Sequence, residues 1–217
     1  YIEDYYRVND DFESVVGLSQ IMQAEAIRLA VEAHRRNMPH CMGTLYWQFN
    51  DCWPVISWSS IDYGGNWKAL HYVARKFFSP MLVSIRDLDD KIEIHVINDQ
   101  HHGVESGIRL ELLNLNGDIL FKDSSELNIE PFSSTIYRTF DKNDFLGGID
   151  LSASVFRAEL FVGRKSLSRA HQFFRRPKYL SIPSPEFDYK IERIRGKYLI
   201  TIKSKSFLCQ VHLISIK

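Results

Sequence analysis

The apolar pattern of this chain changes period at Pro80, and no single repeating architecture accommodates both sides of that point. Before it, Leu18, Ile21, Met22, Ala26, Leu29, Ala30 and Ala33 recur at steps of three and four. That spacing predicts a helix over about 12–36 with one apolar stripe, its small residues packing closely on a sheet. Asp10 and Glu13 supply a capping-box-like start, Arg35 and Arg36 suit the negative end of the helix dipole, and Pro39 blocks continuation. Leu45–Phe49 follows as a short, nearly continuous apolar strand, the form expected where both faces of a parallel strand are covered. Residues 50–65, with Pro54 and Gly64-Gly65, form an irregular loop, and 67–78 a second helix closed by Ser79-Pro80. Helix, strand, long loop and helix are the last one and a half units of a (β/α)8 barrel, whose sites form at strand C-termini and in the loops that follow. Residues 47–58 are then the site-facing segment.

From Met81 the period is two. Met81–Ile85, Lys91–Ile97, Ile108–Leu115, Ser134–Phe140, Val155–Val162 and Ser168–Phe174 are expected strands, separated by turn clusters at 87–90, 114–117 and 147–148. Short strands at this spacing predict an antiparallel sandwich similar to an immunoglobulin fold, with His101-His102 at a hairpin tip. Lys178–Pro185 reads as a linker. Phe187–Arg193, Tyr198–Ser204 and Leu208–Ile216 are three further strands, too few to enclose a core and so the start of a second sandwich. The expected fold class is α+β: the last units of a (β/α)8 barrel over 1–80, an immunoglobulin-like β-sandwich over 81–178 and a partial second sandwich over 179–217.

Composition excludes several functions. The 27 Lys and Arg balance 27 Asp and Glu, so no net field favours nucleic acid or an anionic membrane. The longest apolar stretches fall well short of the ~20 residues that cross a bilayer. No histidine pair has metal-ligand spacing, and no metal or cofactor is implied. Cys41, Cys52 and Cys209 lack C-x-x-C spacing; free thiols are the simpler reading, with a Cys41–Cys52 bridge as an alternative. Phe173–Lys178 mixes aromatic and basic residues but stands at a strand end beside a linker, where a domain contact is the favoured reading. Tyr5, Tyr6 and Arg7 are expected at the surface. A chain that starts at Tyr1 without a basic and apolar leader is expected to come from inside a longer protein.

All four tryptophans, Trp47, Trp53, Trp58 and Trp67, fall between residues 47 and 67, with Asn50, Asp51 and Asp62 among them. Aromatic faces mixed with amide and carboxylate groups suit a sugar, the rings covering its C–H faces and the polar groups fixing its hydroxyls. Asp51 and Asp62 stand at ordinary turn positions, which argues against a catalytic pair. Asn50 and Asp51 could bond sugar hydroxyls or hold the loop, and loop-holding is favoured. Trp53 and Trp58 could face a sugar or anchor the loop. Trp67 is expected in the core.

The run Gly43-Thr-Leu-Tyr-Trp-Gln-Phe-Asn-Asp-Cys-Trp-Pro54, continued by Ser57-Trp-Ser-Ser-Ile-Asp-Tyr-Gly-Gly-Asn-Trp-Lys-Ala-Leu-His-Tyr72, resembles the end of the catalytic barrel of β-mannosidases of glycoside hydrolase family 2. The likeness extends back through Ser19–Ile27 and His34-Arg35-Arg36 and forward to about Pro80. It implies that Trp47 floors a sugar subsite, through a cis peptide to Gln48; Trp53, Asn50 and Asp51 are the other candidates to contact a β-mannoside oligosaccharide or glycan. It also implies two catalytic glutamates at barrel strand ends. Neither family motif for them occurs in its place here, so no catalytic residue carries over and this piece alone is expected to be inactive. An exo-β-glucosaminidase of the same family and a non-catalytic glycan- or domain-binding sandwich are the alternatives. Without neighbouring strands, 1–80 is expected to depend on other barrel units, and the exposed aromatic surface to make the chain associate.

Overall fold

The computed structural model describes residues 1–209 and 211. One helical turn, α1 (Ile2–Tyr5), precedes the long helix α2 (Phe12–Arg36). The N-cap is Asp11 rather than Asp10: its carboxylate accepts the Ser14 N–H at 2.8 Å. The buried face of α2 also differs from the expected stripe. Ala24, Val31, Glu32 and Arg35 are buried, whereas Ala26, Leu29, Ala30 and Ala33 are exposed. The helix carries apolar residues on more than one face, and burial follows the neighbour present. That neighbour is α3 (Ala69–Phe77), whose Ala69, Leu70, Ala74 and Phe77 close a cluster with Ala24 and Val31.

Leu45–Phe49 does not form the expected strand. Its backbone bonds only the segment around Ser60, through Ser60 N–H to Gln48 O and Ile61 N–H to Phe49 O, both 2.9 Å, with a single parallel bridge Asn50–Ile61. An extended segment apolar on both faces needs strands beside it and layers above and below; none occurs among the described residues, and Leu45 is 99 % exposed. The Trp47–Gln48 peptide is cis, as the resemblance implied, and so is Met38–Pro39. Trp67 precedes α3, bridges to Ile61 and is partly exposed, so it is not a core residue.

Two antiparallel sheets follow. One orders β1 (Met81–Asp87), β2 (Lys91–Asn98) and β5 (Ser133–Asp141) as β1-β2-β5. The other orders β3 (Val104–Asn114), β4 (Ile119–Ile129), β6 (Ser154–Val162) and β7 (Lys165–Gln172) as β4-β3-β6-β7. The short helix α4 (Lys142–Leu146) lies between β5 and β6. Alternate residues face inward: Val83, Ile85, Ile92, Ile94 and Val96 meet Ile108, Leu110, Leu112, Phe156, Ala158 and Leu160 in one core. β4 was not anticipated. Its Lys122, Asp123, Ser124, Ser125 and Glu126 obscure the alternation, because it is an edge strand that is mostly exposed. His101-His102 is not a hairpin tip; it lies on the connection from β2 to β3, which belong to different sheets. Asn98 holds that crossing, its Nδ2 donating to His102 O and Glu130 O at 2.9 and 3.1 Å. After a 3-10 turn at Pro177–Tyr179 the linker leads to one hairpin, β8 (Phe187–Ile194) and β9 (Lys197–Ser204). The expected strand Leu208–Ile216 lies mainly outside the described residues.

The outer face of β1 and β2 is covered by the end of α2. Ser84 Oγ donates to Glu32 at 2.6 Å and accepts from Arg36 at 2.6 Å, and Ser134 Oγ donates to Arg36 O at 3.0 Å. Arg35 does more than complement the helix dipole: it donates to Phe77 O at 2.5 Å, Ser79 O at 2.8 Å and Asp99 at 2.7 Å, joining both helices to the sheet. His95 and Glu93 are buried on this face. Burial pushes His95 below its ordinary value of 6.5, Arg36 and Arg86 adding in the same direction against the bond to Glu93. Below that ordinary value the unfolded chain therefore binds a proton that the folded chain resists, so this contribution is complete above about pH 6.5 and is lost as pH falls. The thermal midpoint of the chain is expected to fall more steeply on acidification from pH 7 to 5 than that of His95→Gln. Parallel slopes would show that His95 does not carry the effect.

The basic and aromatic run at 173–178 is a contact within the chain. Lys178 Nζ donates to Glu3 O at 3.1 Å, Arg7 Nε to Lys178 O at 2.8 Å, and the Arg176 guanidinium lies 5.0 Å from the Tyr5 ring centroid. Tyr5 and Arg7 are at the surface as expected, whereas Tyr6 is half-buried, its phenol pushed up to about 12 by burial and by Glu25 and Cys209 nearby.

Candidate functional site

The segment from Leu45 to Trp67 presents rings outward over a polar frame. Trp47, Trp53 and Trp58 are 75, 61 and 71 % exposed, and Phe49 and Tyr63 are exposed beside them. Large rings left in water need a reason. Here the backbone beneath them is held by bonds that point the other way.

Asp51 is the centre of that frame. Its side chain is 1 % exposed and accepts from Ser57 Oγ, from Ser59 Oγ at 2.8 Å and from Lys68 Nζ at 3.4 Å. These donors, the Ser57 hydroxyl foremost, hold the carboxyl below its ordinary value. A buried carboxylate whose two oxygens already accept from Ser57, Ser59 and Lys68 holds a loop. Asn50 Nδ2 donates to Asp51 O at 3.1 Å, a local bond of the same kind. Asp62 accepts from the Asn66 N–H at 2.8 Å and its side-chain amide at 2.9 Å, a turn-closing role that lowers its pKa as well.

A second group of bonds fixes the base of the segment. Tyr46 OH lies 3.0 Å from Ser60 Oγ, which donates to Phe49 O at 2.8 Å and lies 3.0 Å from His71 Nδ1. Gln23 of α2 donates to Trp58 O at 2.8 Å. The Trp67 ring packs edge-on to His71 at 4.4 Å. Sequence reasoning named Trp47, Trp53, Asn50 and Asp51 and missed Ser57, Ser59, Lys68 and Tyr46. The Ser57-Trp58-Ser59-Ser60 run was the available signal: hydroxyls flanking an exposed tryptophan, with a basic residue soon after.

None of the tryptophans lines either of the two concavities found among the described residues. A concavity of about 390 Å³ lies elsewhere, at the end of the sandwich among Asn114, Leu120, Ile149, Asp150 and Ser154, away from the tryptophans. Among the described residues no cluster of His, Cys, Asp or Glu could hold a metal, and no helix is long and apolar enough to cross a membrane. Cys41, Cys52 and Cys209 are free, so the alternative Cys41–Cys52 bridge is not made.

Comparison with known proteins agrees with this anatomy. Residues 90–179 match the Mannosidase Ig/CBM-like domain family. A β-mannosidase of Capra hircus is 46 % identical over 86 residues, which cover 36 % of this chain and 10 % of the relative. The crystal structure of a β-D-mannosidase from Dictyoglomus thermophilum superimposes with a TM-score of 0.87 at 28 % identity, covering 95 % of this chain and 25 % of that one. An exo-chitosanase of Amycolatopsis orientalis shares the fold, with a TM-score of 0.68 at 17 % identity over 91 % of this chain and 27 % of that one. The chain thus spans about a quarter or less of the length of these relatives.

Proposed function

We propose that this chain, which belongs to the β-mannosidases of glycoside hydrolase family 2, supplies the aromatic wall of a subsite at which a longer protein removes terminal β-D-mannose from a glycan. In that reading residues 1–80 are the last units of the catalytic barrel, 81–178 the sandwich that follows it and 179–217 the start of another. Trp47 and Trp53 cover the C–H faces of the sugar. Asn50 and Asp51 act through the loop that carries the rings.

The two carboxylic residues that a retaining glycosidase needs, about 5 to 5.5 Å apart, come from other barrel units. The single observation that carries the reading is the set of exposed rings, Trp53 and Trp58 on a loop held by a buried frame centred on Asp51 and Trp47 beside the Ser60 bond to Gln48 O. The unburied face of α2 and the exposed Leu45 and Phe49 are, in the same reading, where neighbouring barrel units pack.

The test is a panel of chromogenic glycosides offered to the longer protein. Turnover of the β-D-mannoside at least tenfold above the β-D-glucosaminide and β-D-glucuronide is expected, with β-mannose as first product. Preference for the glucosaminide would assign the wall to an exo-β-glucosaminidase. Tight glycan binding without turnover would make the chain part of a binding protein.

A further inference from the structure

We infer that Lys68 is a positioning residue: acting through the buried carboxylate of Asp51, its ammonium fixes the loop that carries Trp53 and Trp58 toward a glycan. The inference rests on the sugar-facing reading of that surface. Lys68 stands immediately before α3, and its N–H donates to Ser60 O at 2.9 Å, so its own backbone is set by the helix start and by the Ser60 segment. Its mostly buried side chain reaches under the loop, where Nζ donates to Ser59 Oγ at 2.8 Å and lies 3.4 Å from Asp51 Oδ2. Ser57 closes the other carboxylate oxygen.

Residues 51, 57 and 59 are thereby tied to one point, and 52–56 form the loop between the ties. Trp58 lies between two serines whose hydroxyls turn inward to Asp51. Its carbonyl is held by Gln23 and its ring is left outward. Removing the ammonium leaves a carboxylate buried without its countercharge, which is far more costly than losing a surface pair. The nearest relief is for the loop to open and admit water, and Trp53 and Trp58 move with it. Lys68 touches no reacting atom in this scheme; its effect on a glycan passes entirely through the rings.

Lys68→Met and Lys68→Arg, made both in the longer protein and in this chain, test the inference. Loss of a preformed binding surface is expected to raise KM for a β-mannoside oligosaccharide about tenfold with a smaller effect on kcat, and Lys68→Arg to recover most of it. Because all four tryptophans lie within 47–67, tryptophan fluorescence of this chain reports the segment directly. Acrylamide quenching is expected to rise in Lys68→Met, and the acid midpoint of the fluorescence change to move up. Lys68 is one of the donors that keep Asp51 ionised; Asp62, His71, Cys52, Tyr46 and Tyr63 are the other titratable groups on or beside the segment, and α2 meets it through the neutral Gln23, with Gln20 on the Ala69 N–H. Should Lys68→Met not fold, Ser59→Ala breaks the same relay and is expected to give a smaller change of the same sign. Unchanged quenching and KM would overturn the inference, as would a loss confined to kcat. If the longer protein hydrolysed no β-mannoside, the functional reading would fail alone, and quenching and the acid midpoint would still decide the role of Lys68.

Discussion

Trp47→Ala, in a longer protein carrying this chain, is expected to lower kcat/KM on β-mannosides by about 30- to 1,000-fold. An aromatic anchor at the centre of a contact surface is worth roughly 2 to 4 kcal/mol, and about 1.4 kcal/mol is a factor of ten in rate. The same substitution is expected to leave the stability of this chain within about 0.5 kcal/mol. Trp47 is mostly exposed and belongs to neither apolar cluster, whereas its neighbour Tyr46 packs against Phe77 and Phe78. The two measurements separate the roles. A stability loss of several kcal/mol with kcat/KM retained would make Trp47 a packing residue.

Phe156→Ala is expected to cost about 3 to 5 kcal/mol, a large part of the 5 to 15 kcal/mol that holds a typical domain. Phe156 is fully buried on β6, flanked by Leu112 on β3 and Gln172 on β7. Its ring meets Phe140 of β5 at 5.8 Å and Phe145 of α4 at 5.2 Å, so it bridges the two sheets where no small side chain could. Rings around it lock one another, Phe140 stacking on Phe145 at 4.3 Å, and the cavity left by alanine cannot easily close. Urea denaturation followed by far-ultraviolet circular dichroism measures the loss. A change under 1 kcal/mol would mean that the sandwich core collapses around the gap and is not packed as described.

The sandwich was legible because its inward positions are apolar on alternate residues: Val83 and Ile85, then Ile92, Ile94 and Val96, need no context to be read. β4 was not, since an edge strand exposes most of its side chains and keeps no strict alternation. Helix α2 was legible in extent but not in orientation. Its several apolar faces leave the choice to whatever lies beside it, and α3 selected the Ala24–Val31 face. Leu45–Phe49 failed as a strand for the related reason that strands exist only in pairs. In the candidate site, Trp47 and Trp53 were nominated from ring clustering and from resemblance, and both rings are exposed. The frame beneath them was not, because Ser57, Ser59 and Lys68 are unremarkable in sequence until a fold brings them to Asp51.

In the proposed scheme this chain provides the aromatic wall of a β-mannosidase, and the reacting carboxylates lie outside it. Hydrolysis of p-nitrophenyl β-D-mannoside by this 217-residue chain and by the longer protein, at matched concentrations, tests it most directly. The expected result is enzyme-like turnover by the longer protein and none above the buffer rate by the chain. Turnover by the purified chain that is abolished in Asp51→Asn would contradict it.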